Sequence, residues 1–270
     1  DPYDSLLFDV TRIAWPHTHW GDADVEAREA EALQQLDRAL GTPTAAVILE
    51  PLIQGASGMR MVRSGFLRAV AERVKQQGSL LIADEVMTGF GRTGALFASQ
   101  RAGIQPDLMA LSKGLTGGFL PMGATLASER LYRGFISSTP EHTFFHGHSF
   151  TANPLGCAAA LASLDLLQHN PERYQQFNTR HIPLLEVLAE HPLVKRIRCQ
   201  GTVAAFELDA GSTSYLNPIG KQLQRHCLDQ GVYLRPLGNV VYLLPPLSIS
   251  EAQLEQCYAA IRSALEALSC

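Results

Sequence analysis

The feature that most constrains this chain is a series of short apolar runs, each ending on a polar or charged residue, with helix-like stretches between them. Residues 45–49, 80–83 and 108–111 are strand-length and nearly free of polar side chains. The second run ends at Asp84-Glu85 and the third at Ser112-Lys113. Between them, residues 66–77 carry Phe66, Leu67, Val70 and Val74 on one side, and Gly78 suits the position just past a helix end. Residues 95–102 form a second, shorter helix candidate closed by Gly103. Strand and helix alternating at this spacing predict an α/β fold with a mainly parallel sheet. Nearly continuous apolar strands predict helices on both faces. Ligands of such sheets sit at the carboxyl ends of the strands, where Asp84 and Lys113 fall.

The flanking segments extend this frame. Residues 24–40 place Val25, Ala32, Leu33, Leu36 and Leu40 on one helical face. Asn153-Pro154 predicts the start of a long helix, with Asn as N-cap and Pro at the first helical position. After Gln168 the texture changes. A helix over 172–190 precedes strands at 194–199 and 203–208, a helix near 219–230 and a strand pair near 232–235 and 240–244. Ser250 with Gln253 reads as a capping box. Leu254, Cys257, Tyr258, Ile261, Leu265 and Leu268 mark a final helix. The expected division is residues 1–167 as part of a large domain and 168–270 as a smaller α+β domain.

Charge and cysteine usage exclude several classes. With 22 basic and 26 acidic side chains the net charge is −4. A general nucleic-acid binder needs a basic face to displace counterions, and a polybasic membrane binder needs a similar excess. No apolar run approaches the roughly 18 residues of a membrane span, and no basic-then-apolar signal segment is present. Neither nucleic acid nor membrane is therefore an expected partner. Cys157, Cys199, Cys227, Cys257 and Cys270 are odd in number and never form a C-x-x-C pair, so reduced thiols and a cytoplasmic location are expected.

Four site classes fail on their letters. The acidic pair after residues 80–83 suits a nucleotide hydrolase, but no G-x-x-x-x-G-K-[ST] is present. Gly89 to Gly94 match G-x-G-x-x-G, yet Asp84 to Thr88 separate them from the strand, and Asp107 begins the next strand instead of ending it. A glycine-rich turn is the better reading. No G-x-S-x-G nucleophile elbow exists. His17-Thr18-His19 and His146-Gly147-His148 lack a zinc frame, so no metal is expected. What remains is Asp84 with Lys113. Either alone has an ordinary reading, as a helix-capping Asp and a surface Lys. Together they suit a Schiff-base lysine, with its pKa lowered by desolvation, and a carboxylate that keeps a pyridinium nitrogen protonated.

Four stretches then carry a resemblance: LIADEVMTGFGRTG (81–94), PDLMALSKGLTGG (106–118), FFHGHSFTANPLGCAAALASL (144–164) and VYLRPLGNVVYLLPP (232–246). They closely resemble the class III, fold type I pyridoxal-phosphate aminotransferases, with ordered matches from about Ala45 to Pro246. The last two resemble most closely the branch that serves biotin biosynthesis. The resemblance implies that Lys113 carries the cofactor pyridoxal 5'-phosphate and that Asp84 pairs with its ring nitrogen. It further implies that Val86 packs on the ring and that Ser149 binds the phosphate of a neighbouring subunit's cofactor, which requires a homodimer. Arg235 is implied to hold a substrate carboxylate, with Gln54 and Gly147 near the substrate. The implied reaction moves an amino group from a small-molecule donor, S-adenosylmethionine, to the oxo acid 8-amino-7-oxononanoate, giving 7,8-diaminononanoate. Another ω-amino-acid aminotransferase and a non-catalytic fragment are the alternatives.

Two departures from the family pattern stand out. Met87 occupies a position where many members have Gln, which separates this chain from the ornithine and 4-aminobutyrate enzymes. The family also carries, ahead of the point corresponding to Asp1, a Gly-Ser phosphate-binding turn and a ring-stacking Tyr. Neither is recognisable here, and the chain is expected to belong to a longer protein.

Overall fold

Helix α1 (Val25–Leu40) turns Ala32, Leu36 and Leu40 inward, and strand β1 (Ala46–Leu49) follows a Thr-Pro-Thr turn. The structure is a computed structural model, and it describes residues 9–211 and 214–268. Cys270 lies outside the described residues. After β1 comes a small hairpin of β2 (Ile53–Gln54) and β3 (Arg60–Met61). Two-residue strands leave no periodicity in a sequence, so this hairpin has no counterpart in the apolar pattern. Helix α2 (Ser64–Gln76) buries the four expected side chains, Phe66, Leu67, Val70 and Val74. Strand β4 (Leu80–Asp84), the short helix α3 (Ala98–Ala102) and strand β5 (Leu108–Leu111) then arrive in the expected order.

These strands form one sheet in the order β1-β4-β5-β6, where β6 is Ala124–Ala127. The first three are parallel and β6 is antiparallel to β5. Register places Val47, Leu49, Leu81, Met109, Leu111 and Ala124 on one face, because paired residues point the same way. Side chains of α1, α2 and α3 pack over the β1–β4 end of that face. After α4 (Glu129–Arg133), helix α5 (Pro154–His169) packs over the β5–β6 end. Asn153 caps α5 as expected, its Oδ1 accepting from the Gly156 N–H at 2.7 Å. The opposite face, with Ile48, Ile82, Ala110 and Thr125, is covered only in part, and Ile48 is 65% exposed.

The remaining chain builds a second sheet. The single helix expected over 172–190 is two, α6 (Glu172–Gln175) and α7 (Phe177–Ala189), because Gln176 leaves helical geometry at φ −102°, ψ 12°. Strands β7 (Val194–Gln200) and β8 (Val203–Leu208) follow, then helix α8 (Ile219–Asp229), strand β9 (Val240–Leu243) and helix α9 (Glu251–Leu268). The sheet order is β7-β8-β9, all antiparallel. Residues 232–235 join no ladder, which corrects the expected strand pair. The partner of β9 is β8, every residue of which is buried. The capping box is present, with Ser250 and Gln253 exchanging bonds of 3.0 and 3.2 Å.

Strand β8 joins the two halves. Ala204, Phe206 and Leu208 face a core made with α7, α8 and α9, while Val203 and Ala205 face the core of α1 and α2. Arg198 of β7 clamps the halves further. Its guanidinium donates to the carbonyls of Met59 at 2.8 Å and Gly58 at 2.7 Å, and it pairs with Glu207. Burial lowers its pKa to about 10.

A buried polar node sits under α7. His181 Nδ1 lies 2.7 Å from the Tyr258 hydroxyl, and Nε2 lies 3.2 Å from the Thr202 carbonyl. Burial holds the imidazole near pKa 4, against an ordinary 6.5. The unfolded chain therefore takes up this proton more readily, and stability falls as pH drops from 6.5 through 4. The full difference corresponds to about 3 kcal/mol. Urea unfolding should show most of this loss between pH 7 and pH 4.5, and His181→Gln should remove it; equal pH dependence in both proteins would contradict the assignment.

Candidate active site

The parallel register decides which residues meet. Leu49 pairs with Ala83, and Asp84 pairs with Ala110. The carboxyl ends of β1, β4 and β5 therefore lie side by side, carrying Glu50, Asp84 and Ser112-Lys113. Asp84 and Lys113 were legible from the apolar runs. Glu50 was not singled out, although it ends the first run just as Asp84 ends the second.

Lys113 opens a 3-10 turn over Lys113–Thr116 and sits at φ 45°, in the left-handed region. A non-glycine residue held there carries backbone strain that its surroundings must fix. The Gly118 N–H donates to the Lys113 carbonyl at 3.1 Å. Ser112 Oγ donates to the Met122 carbonyl at 2.8 Å, and Ser163 Oγ on α5 donates to the Gly114 carbonyl at 3.1 Å. Gly114 is required, since a Cβ there would stand 2.7 Å from Phe90 Cβ. The side chain of Lys113 is exposed. The expected desolvation is therefore not met among the described residues.

Asp84 is half-buried and caps no helix. Its Oδ1 accepts from the Val86 N–H at 3.0 Å, which fixes the turn after β4 and holds the half-buried Val86 beside it. The capping role falls to Glu85, which is fully buried. Its carboxylate accepts from the N–H groups of Ala98 at 2.9 Å and Ser99 at 2.7 Å, and from Thr88 Oγ1 at 2.9 Å. One carboxylate of the acidic pair is thus structural and the other is left available. The Gly89–Gly94 turn that follows docks on the second sheet, where the Thr202 N–H donates to the Arg92 carbonyl at 2.8 Å and Arg92 reaches the Pro245 carbonyl at 2.6 Å.

Glu50 is half-buried, and its Oε2 accepts from the Gly55 N–H at 3.0 Å. Burial raises its pKa, and Asp84 raises it further. The Gly55 hydrogen bond and the Lys113 charge act the other way. Gln54 lies in β2, half-buried, immediately before the Gly55 turn.

Three other expected residues lie on exposed segments. Gly147 and Ser149 lie on an exposed loop ahead of α5. Arg235 is exposed on the irregular segment before β9, and its charge acts on Tyr242, whose pKa is raised chiefly by burial. A cavity of about 620 Å³ bordered by His17, Arg60, Arg196, Arg198 and Glu207 includes neither Asp84 nor Lys113. Among the described residues no three His, Cys, Asp or Glu side chains group to hold a metal, and Cys157, Cys199, Cys227 and Cys257 are free thiols. No helix among them is long and apolar enough to cross a membrane. An accessible amine beside two carboxylates suits a ligand with a carbonyl group and a cationic ring nitrogen, as pyridoxal phosphate has.

Comparison with known proteins gives the same direction. The family described as "Aminotransferase class-III" matches residues 3–265. Adenosylmethionine-8-amino-7-oxononanoate aminotransferase of Synechococcus elongatus is 55% identical over 98% of this chain, which spans 63% of that protein. The crystal structure of the enzyme of that name from Methanocaldococcus jannaschii superposes with TM-score 0.87 at 31% identity, covering 98% of this chain and 62% of the other. An amine transaminase from an uncultivated Pseudomonas species, in the PLP-bound (internal aldimine) form, superposes with TM-score 0.82 at 28% identity, covering 94% and 60%.

The division of labour in the acidic pair is testable by stability. Glu85→Ala orphans three buried donors and should cost about 3–5 kcal/mol in chemical denaturation, while Asp84→Asn, at a half-buried site, should cost less than about 1 kcal/mol. Comparable losses for both would show that the two roles are not separate.

Proposed function

The chain belongs to the class III aminotransferases, and from that membership we propose that it provides the lysine and carboxylate of a pyridoxal-phosphate enzyme that converts 8-amino-7-oxononanoate to 7,8-diaminononanoate. The chain spans less than two thirds of the length of the relatives just described. The observation that carries the reading is the alignment of Asp84 and Lys113 at neighbouring carboxyl ends of parallel strands. The substrate follows the name of the 55% identical relative; the amine transaminase, at 28%, supports the broader class.

Bound pyridoxal phosphate supplies a carbonyl that exchanges amines and a ring that withdraws electrons from the substrate Cα. Lys113 Nζ would hold the group at its carbonyl carbon, with the carbonyl oxygen leaving as water, and the free amine would carry the proton at the substrate Cα. The Asp84 carboxylate would pair with the ring nitrogen and favour its protonated form, and Val86 would lie against the ring. The donor, S-adenosylmethionine, gives up its amine in one half-reaction, and the oxo acid takes it in the second. Arg235 holds a substrate carboxylate through its planar fork, with Gln54 and Gly147 beside the substrate.

We further propose a homodimer in the cytoplasm, with residues 168–270 as a second domain. Phe119, Leu126, Phe135, Phe144, Phe145 and Phe150 are each more than half exposed. Large exposed apolar side chains in this number suit burial against another chain. The loop with Phe144, Phe145 and Phe150 also carries Ser149, which would bind the phosphate of the other copy's cofactor.

Two substitutions test the roles. Lys113→Ala should abolish the visible absorbance band formed with pyridoxal phosphate and lower turnover by several orders of magnitude; a variant keeping both would remove Lys113 from the site. Arg235→Met should lower kcat/KM for the oxo acid by roughly 10- to 150-fold, the equivalent of about 1.5–3 kcal/mol for a charged hydrogen bond. Unchanged kinetics in both half-reactions would make Arg235 a surface residue.

A further inference from the structure

The cavity of about 620 Å³ includes neither Asp84 nor Lys113, and the proposed chemistry makes no use of it. Its size suits a small molecule. Three segments wall it: residues 17–24 with Arg28 of α1, residues 57–60 of the β2–β3 hairpin, and β7 with Glu207 of β8. Hydrogen bonds fasten these walls to one another. The Thr18 N–H donates to the Met61 carbonyl at 2.8 Å, and the Trp20 N–H to the Ile197 carbonyl at 2.8 Å. The buried Arg198 guanidinium ties β7 to Gly58 and Met59, and its Nη1 also donates to the Arg196 carbonyl at 2.7 Å. Met59 and Arg196 are held at φ 53° and 48°. Non-glycine residues in this region carry strain, and such strain collects at ligand clamps. The ladder of β7 with β8 shifts register between Lys195 and Arg198, and a bulge of this kind re-aims side chains.

Positive charge exceeds negative along this border, where Arg28, Arg60, Arg196 and Arg198 stand against Asp22, Asp24 and Glu207. Asp22 pairs with Arg28, and Glu207 lies between Arg196 at 2.8 Å and Arg198 at 3.4 Å. Asp24 is exposed. The arginines keep donors in reserve, since each guanidinium has five N–H groups. The Arg60 side chain makes no hydrogen bond or ion pair among the described residues, Arg28 leaves Nη1 unused, and Arg196 donates only through Nη1. All three are at least partly exposed. The same excess is felt at His17, whose pKa is lowered by burial and then by Arg60, Arg198 and Arg28, against a hydrogen bond to the Trp15 backbone. We propose that this cavity is a second ligand site, which takes a small molecule through a phosphate group held by Arg28, Arg60 and Arg196. Guanidinium forks match phosphate oxygens. Donors arriving from α1, β3 and β7 suit a tetrahedral group better than a flat carboxylate.

Inorganic phosphate is the probe, titrated into the whole chain without pyridoxal phosphate and followed by backbone amide NMR. Saturable shifts at the N–H groups of Gly21, Gly58 and Arg60 are expected at millimolar phosphate. Arg60→Gln, whose wild-type side chain bonds nothing among the described residues, should weaken binding roughly tenfold or more, as the loss of one charged hydrogen bond does. Succinate, a dicarboxylate, should bind more weakly than phosphate. Ser57→Asp, at an exposed position on the border, should also weaken phosphate through like-charge repulsion, and it serves as the deciding variant should Arg60→Gln fail to fold. Unchanged phosphate affinity in the deciding variant overturns the proposal, and so does succinate binding as tightly as phosphate. Shifts confined to the loop of Ser149 would put the phosphate at the pyridoxal site and overturn it too. The measurement needs no cofactor and no turnover, so a failure of the aminotransferase reading leaves its outcome intact.

Discussion

Parallel pairing of β1, β4 and β5 is the constraint on which the rest depends. Parallel strands put like ends together, so three residues separated by 34 and 29 positions in the chain, Glu50, Asp84 and Lys113, reach the same edge of one sheet. No loop has to fold precisely to bring them there. The loops only tune what the strands deliver: Val86 N–H orients Asp84, Gly118 N–H and Ser163 Oγ hold the turn at Lys113, and Gly55 N–H orients Glu50. Each is a backbone or hydroxyl donor, so the three charged groups remain free of one another's hydrogen bonds.

The second sheet serves this edge at a distance. Buried Arg198 grips the carbonyls of Gly58 and Met59, immediately after the Gly55 turn. Thr202 and Arg92 fasten the glycine-rich turn that follows Asp84-Glu85. Charged hydrogen bonds at buried positions are worth about 1.5–3 kcal/mol each, and here they fix loops from the first sheet against strands of the second. The same arrangement leaves the Lys113 end and the Ile48 face uncovered, together with the phenylalanine-rich surface around residues 135–150.

Much of this was legible from letters alone, for identifiable reasons. Strands written as short continuous apolar runs and helices with a clear apolar stripe stand out in the sequence, so α1, α2, β4, β5 and α9 fall within a residue or two of expectation. Asn153, Ser250 and Gln253 announced helix starts because capping chemistry is local. What period could not show was pairing. β6 runs antiparallel, β9 takes β8 as its neighbour, and residues 232–235 stay irregular, all of them outcomes of tertiary contact. The acidic pair shows the limit at single-residue scale. Asp84 and Glu85 are adjacent and chemically alike, yet strand alternation sends one into a packed helix start and the other to the open edge. Glu50 had the same signal as Asp84, an acid closing an apolar run, and only the ladder reveals that the two are neighbours.

The central claim is that Lys113, and no other amine, is placed for covalent attachment to a carbonyl ligand. Incubation with pyridoxal phosphate followed by borohydride reduction makes any such attachment permanent, and peptide mass spectrometry then locates it. The account predicts a phosphopyridoxyl group concentrated on the peptide containing Lys113 and lost in Lys113→Ala. Label spread evenly over Lys75, Lys195 and Lys221, or an unlabelled Lys113, would contradict it.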